Sequence, residues 1–267
     1  MKILVTNDDG IFAEGLWMLV EALRDIAQVA VVAPDREQSA IGTAVTLRQP
    51  LRVRKIKPPV PEVEAYSVEG TPADSVILAL GKLIKDKIDM IVSGINQGPN
   101  LGDDVFISGT VSAALQGYLR GLPALAISAT NTDSLNLKEA AKFAVLMVKG
   151  ISSNPLAADA LLNVNLPGLP LAKVKGVKIT TLASKSHTDT VEEGHDGKHA
   201  YYWLVRQKVN RGALKTTDIG AIEQGHISIT PLHSNLKSKS SSSTIEDLCA
   251  KLLDDLRELA NTKRRGI

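Results

Sequence analysis

Short continuous apolar runs alternate along this chain with longer stretches whose apolar residues recur every three or four positions. KILVT (2–6), VAVVAP (29–34), IDMIVSG (88–94) and PALAIS (123–128) are runs of the first kind, each closed by Thr, Ser, Gly or Pro. FAEGLWMLVEALRDIAQ (12–28), ADSVILALGKLIKD (73–86), SGTVSAALQGYLRG (108–121) and NLKEAAKFAVLMVKGI (136–151) are of the second kind. In the first of these, Leu16, Leu19, Val20 and Leu23 fall on one helical face. Continuous apolar strands between amphipathic helices predict an α/β fold, a mostly parallel sheet with helices on both faces.

Two regions depart from this rhythm. AVTLRQPLRVRKIK (44–57) alternates and carries a proline, which predicts an exposed hairpin or edge excursion near residues 44–68. After LLNVNLPG (161–168), KVKGVKITTLA, HAYYWLVRQKV and HISITPL read as strands separated by the polar stretch SKSHTDTVEEGHDGK. SSSSTIEDLCAKLLDDLRELAN then reads as a linker and a final helix, with Thr244 and Asp247 spaced like a capping box. The expected organisation is a catalytic core over 1–170, then a β-rich extension and C-terminal helix over 171–267 that serve oligomerisation.

Composition narrows the classes. Hydrophobic residues make up 44% of 267 and aromatics 3%, so a core of Val, Ile, Leu and Ala is expected. With 31 basic and 29 acidic residues the formal charge is +2, which argues against a nucleic-acid footprint; the basic tail KRRGI (263–267) reads as a solvated terminus. Cys249 is the only cysteine, read as a buried apolar thiol, and excludes an intrachain disulfide. No run approaches the ~20 apolar residues of a membrane span, and charge precedes any signal-like segment, so a cytoplasmic location is expected.

In a doubly wound sheet, ligands bind beyond the carboxyl ends of the strands, where strand order reverses. That rule selects Asn7-Asp8-Asp9-Gly10 after the first strand and APDREQSAIG, with Asp35, Arg36 and Ser39, after the second. It also selects SGINQGPNLGDDVFISGT (93–110). Asp8 and Asp9 fit a turn, since Asn, Asp and Gly are turn residues. They equally fit a cation site, because hard oxygen ligands from Asp, Asn and Ser suit Mg²⁺, Mn²⁺ or Ca²⁺. Ser108-Gly109-Thr110 opens a helix, where free N–H groups favour an anion such as phosphate; Ser108 also suits an ordinary N-cap.

Other chemistries lack their residues. No G-x-G-x-x-G or G-x-x-x-x-G-K-[ST] is present. Position 10 is Gly, where an aspartyl phosphatase of the haloacid-dehalogenase type needs Asp. His195 and His199 have helical metal-site spacing, but with Gly197 between them they read as a solvated loop.

NDDG, APDREQSAIG, EGTPADSV, SGINQGPNLG, ISGTVSAA and SITPL, in this order over most of the chain, resemble the SurE family of survival proteins. Where that family typically has YWLG, this chain has YYWLVRQ. The resemblance implies a Rossmann-like fold whose C-terminal excursion is exchanged between subunits, giving a homodimer or a dimer of dimers. It implies a metal-dependent phosphomonoesterase acting on nucleoside 5′-monophosphates, with 3′-monophosphates and short polyphosphate as further substrates. Asp8, Asp9, Ser39 and Asn96 are the implied ligands of one divalent ion per subunit, Mg²⁺ or Mn²⁺. Asp8 and Asp9 are the implied catalytic carboxylates, and Asn100, Ser108, Gly109 and Thr110 the implied phosphate-side groups. Neither a nucleic acid nor a membrane is an expected partner.

Overall fold

Strand β1 (Lys2–Thr6) lies near the middle of a sheet of nine strands, and its neighbours on the two sides are β2 (Gln28–Pro34) and β5 (Met90–Gln97). The computed structural model describes residues 1–131, 133–154, 159–184, 187–208, 214–234 and 252. Beyond β2 come β4 (Glu64–Val68) and the edge strand β3 (Val53–Lys55); beyond β5 come β6 (Ala124–Ala129) and β7 (Leu161–Leu166). The sheet ends with β11 (Ile227–Leu232) and β8 (Val177–Ile179). Strands β4, β2, β1, β5, β6 and β7 are mutually parallel, β3 and β11 run against their core neighbours, and β8 pairs parallel to β11. The predicted α/β class and mostly parallel sheet are therefore present.

Period-two geometry explains the layers. Ile3, Val5, Val31, Val92 and Ile127 point to one face, where α1 (Glu14–Arg24) and α4 (Ser134–Ser152) cover them. Leu4, Ala30, Val32, Ile91 and Ala126 point to the other, under α2 (Pro72–Leu78) and α3 (Gly109–Tyr118). In α1 the four residues selected by spacing, Leu16, Leu19, Val20 and Leu23, are all fully buried.

The edge excursion read at 44–57 resolves into β3, antiparallel to β4. The helix predicted over 73–86 is shorter: after Leu78 the chain makes a π-turn (Ala79–Leu83) and becomes extended at Ile84, so that Ile84 and Ile88 can reach the core. The polar stretch read as a loop contains a strand, β9 (His187–His195), paired with β10 (Ala200–Lys208) in a separate hairpin. His195 and His199 stand at its exposed tip. Helix α5 (Asp218–Glu223) was not legible from spacing, being under two turns long. Residues 1–232 form one compact unit, with 233–267 a second. The readings of Cys249, of the Thr244–Asp247 capping box, of the final helix and of the basic tail lie outside the described residues. Among the described residues no helix is long and apolar enough to cross a membrane.

Candidate metal and phosphate site

The chain runs outward from β1 through β2 to β4, then returns to place β5 on the other side of β1. Strand order therefore reverses between β1 and β5, and Asp8, Asp9 and Asn96 stand at the carboxyl ends of those two strands. Ser39 follows β2, the strand on the far side of β1.

Local bonds shape the first loop. Asn7 Nδ2 donates to the Gly10 carbonyl at 2.9 Å, closing the turn around the two aspartates. Gly10 has φ +97°, and a Cβ there would lie 3.0 Å from the Arg36 carbonyl carbon, so this turn needs glycine. Gln38 N donates to the Asp8 carbonyl at 2.7 Å, pinning the loop after β2 beside the loop after β1. Gly42 N donates to the Ile107 carbonyl at 2.8 Å, which joins the same loop to the segment before α3.

The two carboxylates have different environments. Asp8 is buried, and the Thr110 hydroxyl donates to its Oδ1 at 2.5 Å. Burial raises the Asp8 pKa, and hydrogen bonds from Thr110 oppose the rise. A Cβ on Gly109 would lie 2.7 Å from Asp8 Cβ, so glycine is what lets α3 begin against this side chain. Asp9 is half-buried, with a long 3.4 Å contact from Gln97 N. Burial, and then the charge of Asp8, push the Asp9 carboxyl up to about 7.

The donor set fits a hard divalent cation. The Ser39 hydroxyl gives its proton to Glu37 Oε1 at 2.7 Å, leaving oxygen lone pairs. Asn96 Nδ2 donates to the Gly98 carbonyl at 2.7 Å, leaving its amide oxygen as the outward acceptor. Buried Asn7 Oδ1 and Asp35 Oδ1, at the same strand ends, have no hydrogen-bond partner among the described residues. Two adjacent carboxylates, both raised by burial and Asp9 further by the charge of Asp8, among acceptors short of donors, form a locus that a cation stabilises. Among the described residues no three His, Cys, Asp or Glu side chains converge, so nitrogen- or sulfur-rich metal chemistry has no cluster to use.

Ser108 is the N-cap of α3, its Oγ accepting from Val111 N at 3.1 Å. Asn100 sits in a buried amide network: its Nδ2 donates to Ser128 Oγ at 2.8 Å, and its carbonyl accepts from Asn163 and Asn165 at 2.9 and 3.0 Å. Its own N–H donates to Asn165 Oδ1 at 2.8 Å. Sequence reading passed over this network, although LLNVNL places two asparagines two apart in an otherwise apolar strand, a visible signal. Nothing in the sequence marked Glu37, Asp104 or Asp218, whose partners are described here and below.

A family profile described as Survival protein SurE matches residues 3–189. The 5′-nucleotidase SurE of Dehalococcoides mccartyi (strain CBDB1) is 54% identical over 238 residues, 88% of this chain and 90% of the relative. That of Geotalea uraniireducens (strain Rf4) is 45% identical over 243 residues, 90% and 96% of the two chains. The crystal structure of SurE protein from Aquifex aeolicus superposes with a TM-score of 0.80 at 36% identity, covering 93% of this chain and 99% of that one.

Proposed function

Because this chain belongs to the survival protein SurE family, we propose that it is a metal-dependent 5′-nucleotidase. It releases phosphate and a nucleoside from nucleoside 5′-monophosphates. The observation that carries this reading is the meeting of two carboxylates and a helix start at one strand-order reversal, through the Asp8–Thr110 hydrogen bond. Asp8, Asp9, Ser39 and Asn96 are the proposed ligands of one Mg²⁺ or Mn²⁺ per subunit. Such an ion neutralises phosphoryl charge and acidifies a bound water.

The chain's own groups divide the remaining work. Asp8 has Oδ1 committed to Thr110, which fixes the side chain in place and opposes the rise that burial gives its pKa. Asp9, half-exposed and loosely held, is the carboxylate able to orient the attacking water and take its proton. Gly109 and Thr110, on the first turn of a ten-residue helix, place backbone N–H dipoles beside the phosphoryl group. Asn100 supports that side from within its amide network. The chain has no cysteine here and no D-x-D nucleophile, so direct attack by water is the route proposed.

Homodimeric or dimer-of-dimers assembly and a cytoplasmic location belong to the same proposal. The test is phosphate release from AMP and GMP with Mn²⁺ or Mg²⁺ against an EDTA control, with 3′-monophosphates, sugar phosphates and short polyphosphate in parallel. Release that depends on metal is expected. Nucleotide binding without release would instead make the protein a sensor.

A further inference from the structure

The short turn Gly102–Phe106 leads straight into Ser108, and it is gripped by residues far away in the chain. Gly102 N donates to Asp218 Oδ2 at 2.7 Å. Asp218 is fully buried, and its Oδ1 accepts from Ala183 N at 2.9 Å and Ile219 N at 2.8 Å. The Ile219 contact is local to the start of α5. The other two are not, since those donors lie 116 and 35 residues away in sequence. One buried carboxylate thus ties the site turn, the segment after β8 and α5 together. Hydrogen bonds to an ionised acceptor are stronger than neutral ones, and a carboxylate denied water tolerates the loss of a donor badly. The position of Gly102 is therefore tightly specified.

The middle of the turn is held from another side. Asp104 is buried; His187 Nδ1 lies 2.8 Å from its Oδ2, and Arg206 Nη2 lies 2.8 Å from its Oδ1. The Arg206 contact is an ion pair off the hydrogen-bonding line, and Arg206 Nε also donates to Asp189 at 3.0 Å. His187, Asp189 and Arg206 form the base of the β9–β10 hairpin. The Asp104 carbonyl in turn accepts from Ile107 N and Ser108 N, both at 3.0 Å. A displacement of this turn consequently reaches Ser108 and, two residues on, the Thr110 hydroxyl on Asp8.

We propose that Asp218 and Asp104 are positioning residues for the reaction, setting where Ser108–Thr110 lies relative to Asp8 without touching metal or substrate. This rests on the phosphate role proposed for that turn. It gives the β-rich part of the chain a share in catalysis in addition to any share in assembly.

The experiment uses the full chain with Mn²⁺ and AMP. Asp218→Asn keeps the size but turns an N–H₂ towards a backbone N–H. It is expected to lower kcat/KM at least about tenfold per folded molecule. Competitive inhibition by inorganic phosphate should weaken by a similar factor, while Mn²⁺ affinity stays close to wild type. Thr217→Ala is the control, because Thr217 caps the same helix through Gly220 N and does not touch Gly102. It should lose stability while keeping wild-type kcat/KM and phosphate inhibition. If Asp218→Asn behaves like Thr217→Ala, its role is structural and the proposal is overturned. Should Asp218→Asn fail to fold, Arg206→Met loosens the same turn from the half-exposed hairpin. Weaker phosphate inhibition with unchanged Mn²⁺ affinity then supports the proposal, and unchanged inhibition overturns it. A wild type that releases no phosphate from AMP overturns the nucleotidase reading and this inference with it. An active wild type with kinetically silent variants overturns this inference alone.

Discussion

At the scale of single residues, the two adjacent aspartates do different work because their surroundings differ. Asp9→Asn removes a hard anionic ligand from a half-exposed strand end, so the fold should survive while kcat/KM falls ~10²-fold or more at limiting metal. Wild-type turnover by this variant would sink the ligand assignment. Proton linkage gives a second measurement. Asp9's carboxyl rises from the ordinary 3.8 to about 7 on folding, so between those values the metal-free folded chain binds more protons than the unfolded one. Its contribution to stability is therefore lost as pH rises through that window. In EDTA, the stability of Asp9→Asn relative to wild type should grow as pH increases from about 4 to 7 in urea melts; a constant difference contradicts the raised pKa. The 108–110 turn also divides by residue. Ser108 is a cap, so Ser108→Ala should cost about 0.5–2 kcal/mol of stability. Thr110→Val keeps the side chain's shape but strips the donor from Asp8 Oδ1, so it should lower kcat/KM for AMP at least about tenfold per folded molecule, while Mn²⁺ affinity in titration calorimetry stays close to wild type.

At the scale of elements, the start of α2 shows how a local signal acquires a distant duty. Thr71 and Asp74 form a capping box with Pro72 in the first turn, a pattern readable in EGTPADSV. Asp74, almost fully buried, also accepts from Thr46 N at 2.9 Å and the Thr46 hydroxyl at 2.7 Å, which anchors the excursion before β3. Asp74→Ala should cost about 1–3 kcal/mol for the donors left without a partner, added to the loss of the cap. Faster amide hydrogen exchange at Thr46 should accompany it. A stability loss with unchanged exchange there would mean that the cap alone matters. The strands β1, β2, β5 and β6 were legible because each contains a continuous apolar run, whereas β9 was not. Its sequence HTDTVEEGH carries no apolar stripe, since both faces of the hairpin stand clear of the core and no burial imposes a pattern.

At the scale of the whole molecule, that hairpin bears on assembly. Val191, Tyr202, Trp203 and Leu204 are all exposed along it, and a two-stranded ribbon is marginal by itself in water. A homodimer or dimer of dimers is expected, with chain from about residue 215 onward crossing between subunits; light scattering at micromolar protein checks it, and a purely monomeric mass refutes it. Hairpin removal between residues 187 and 208 would also delete the His187 and Arg206 contacts to Asp104, so a loss of activity in such a deletion would not by itself report on assembly.

The sequence alone determined the layers of this fold and the loops that carry its chemistry. Burial on both sheet faces demands continuous apolar strands, helices packed on those faces demand period 3.6, and the strand ends then mark where polar groups gather. Motifs such as NDDG and SGINQGPNLG could be placed on those ends because the signal is local: each residue's neighbours in sequence settle it. Only the tertiary structure decided that β1 separates β2 from β5, that Thr110 meets Asp8 across 102 residues, and that Asp218 holds Gly102. A buried carboxylate requires donors, but its own sequence neighbourhood does not say which ones. That choice follows from the packing of elements far apart in the chain, whose pairing leaves no periodic trace in either segment.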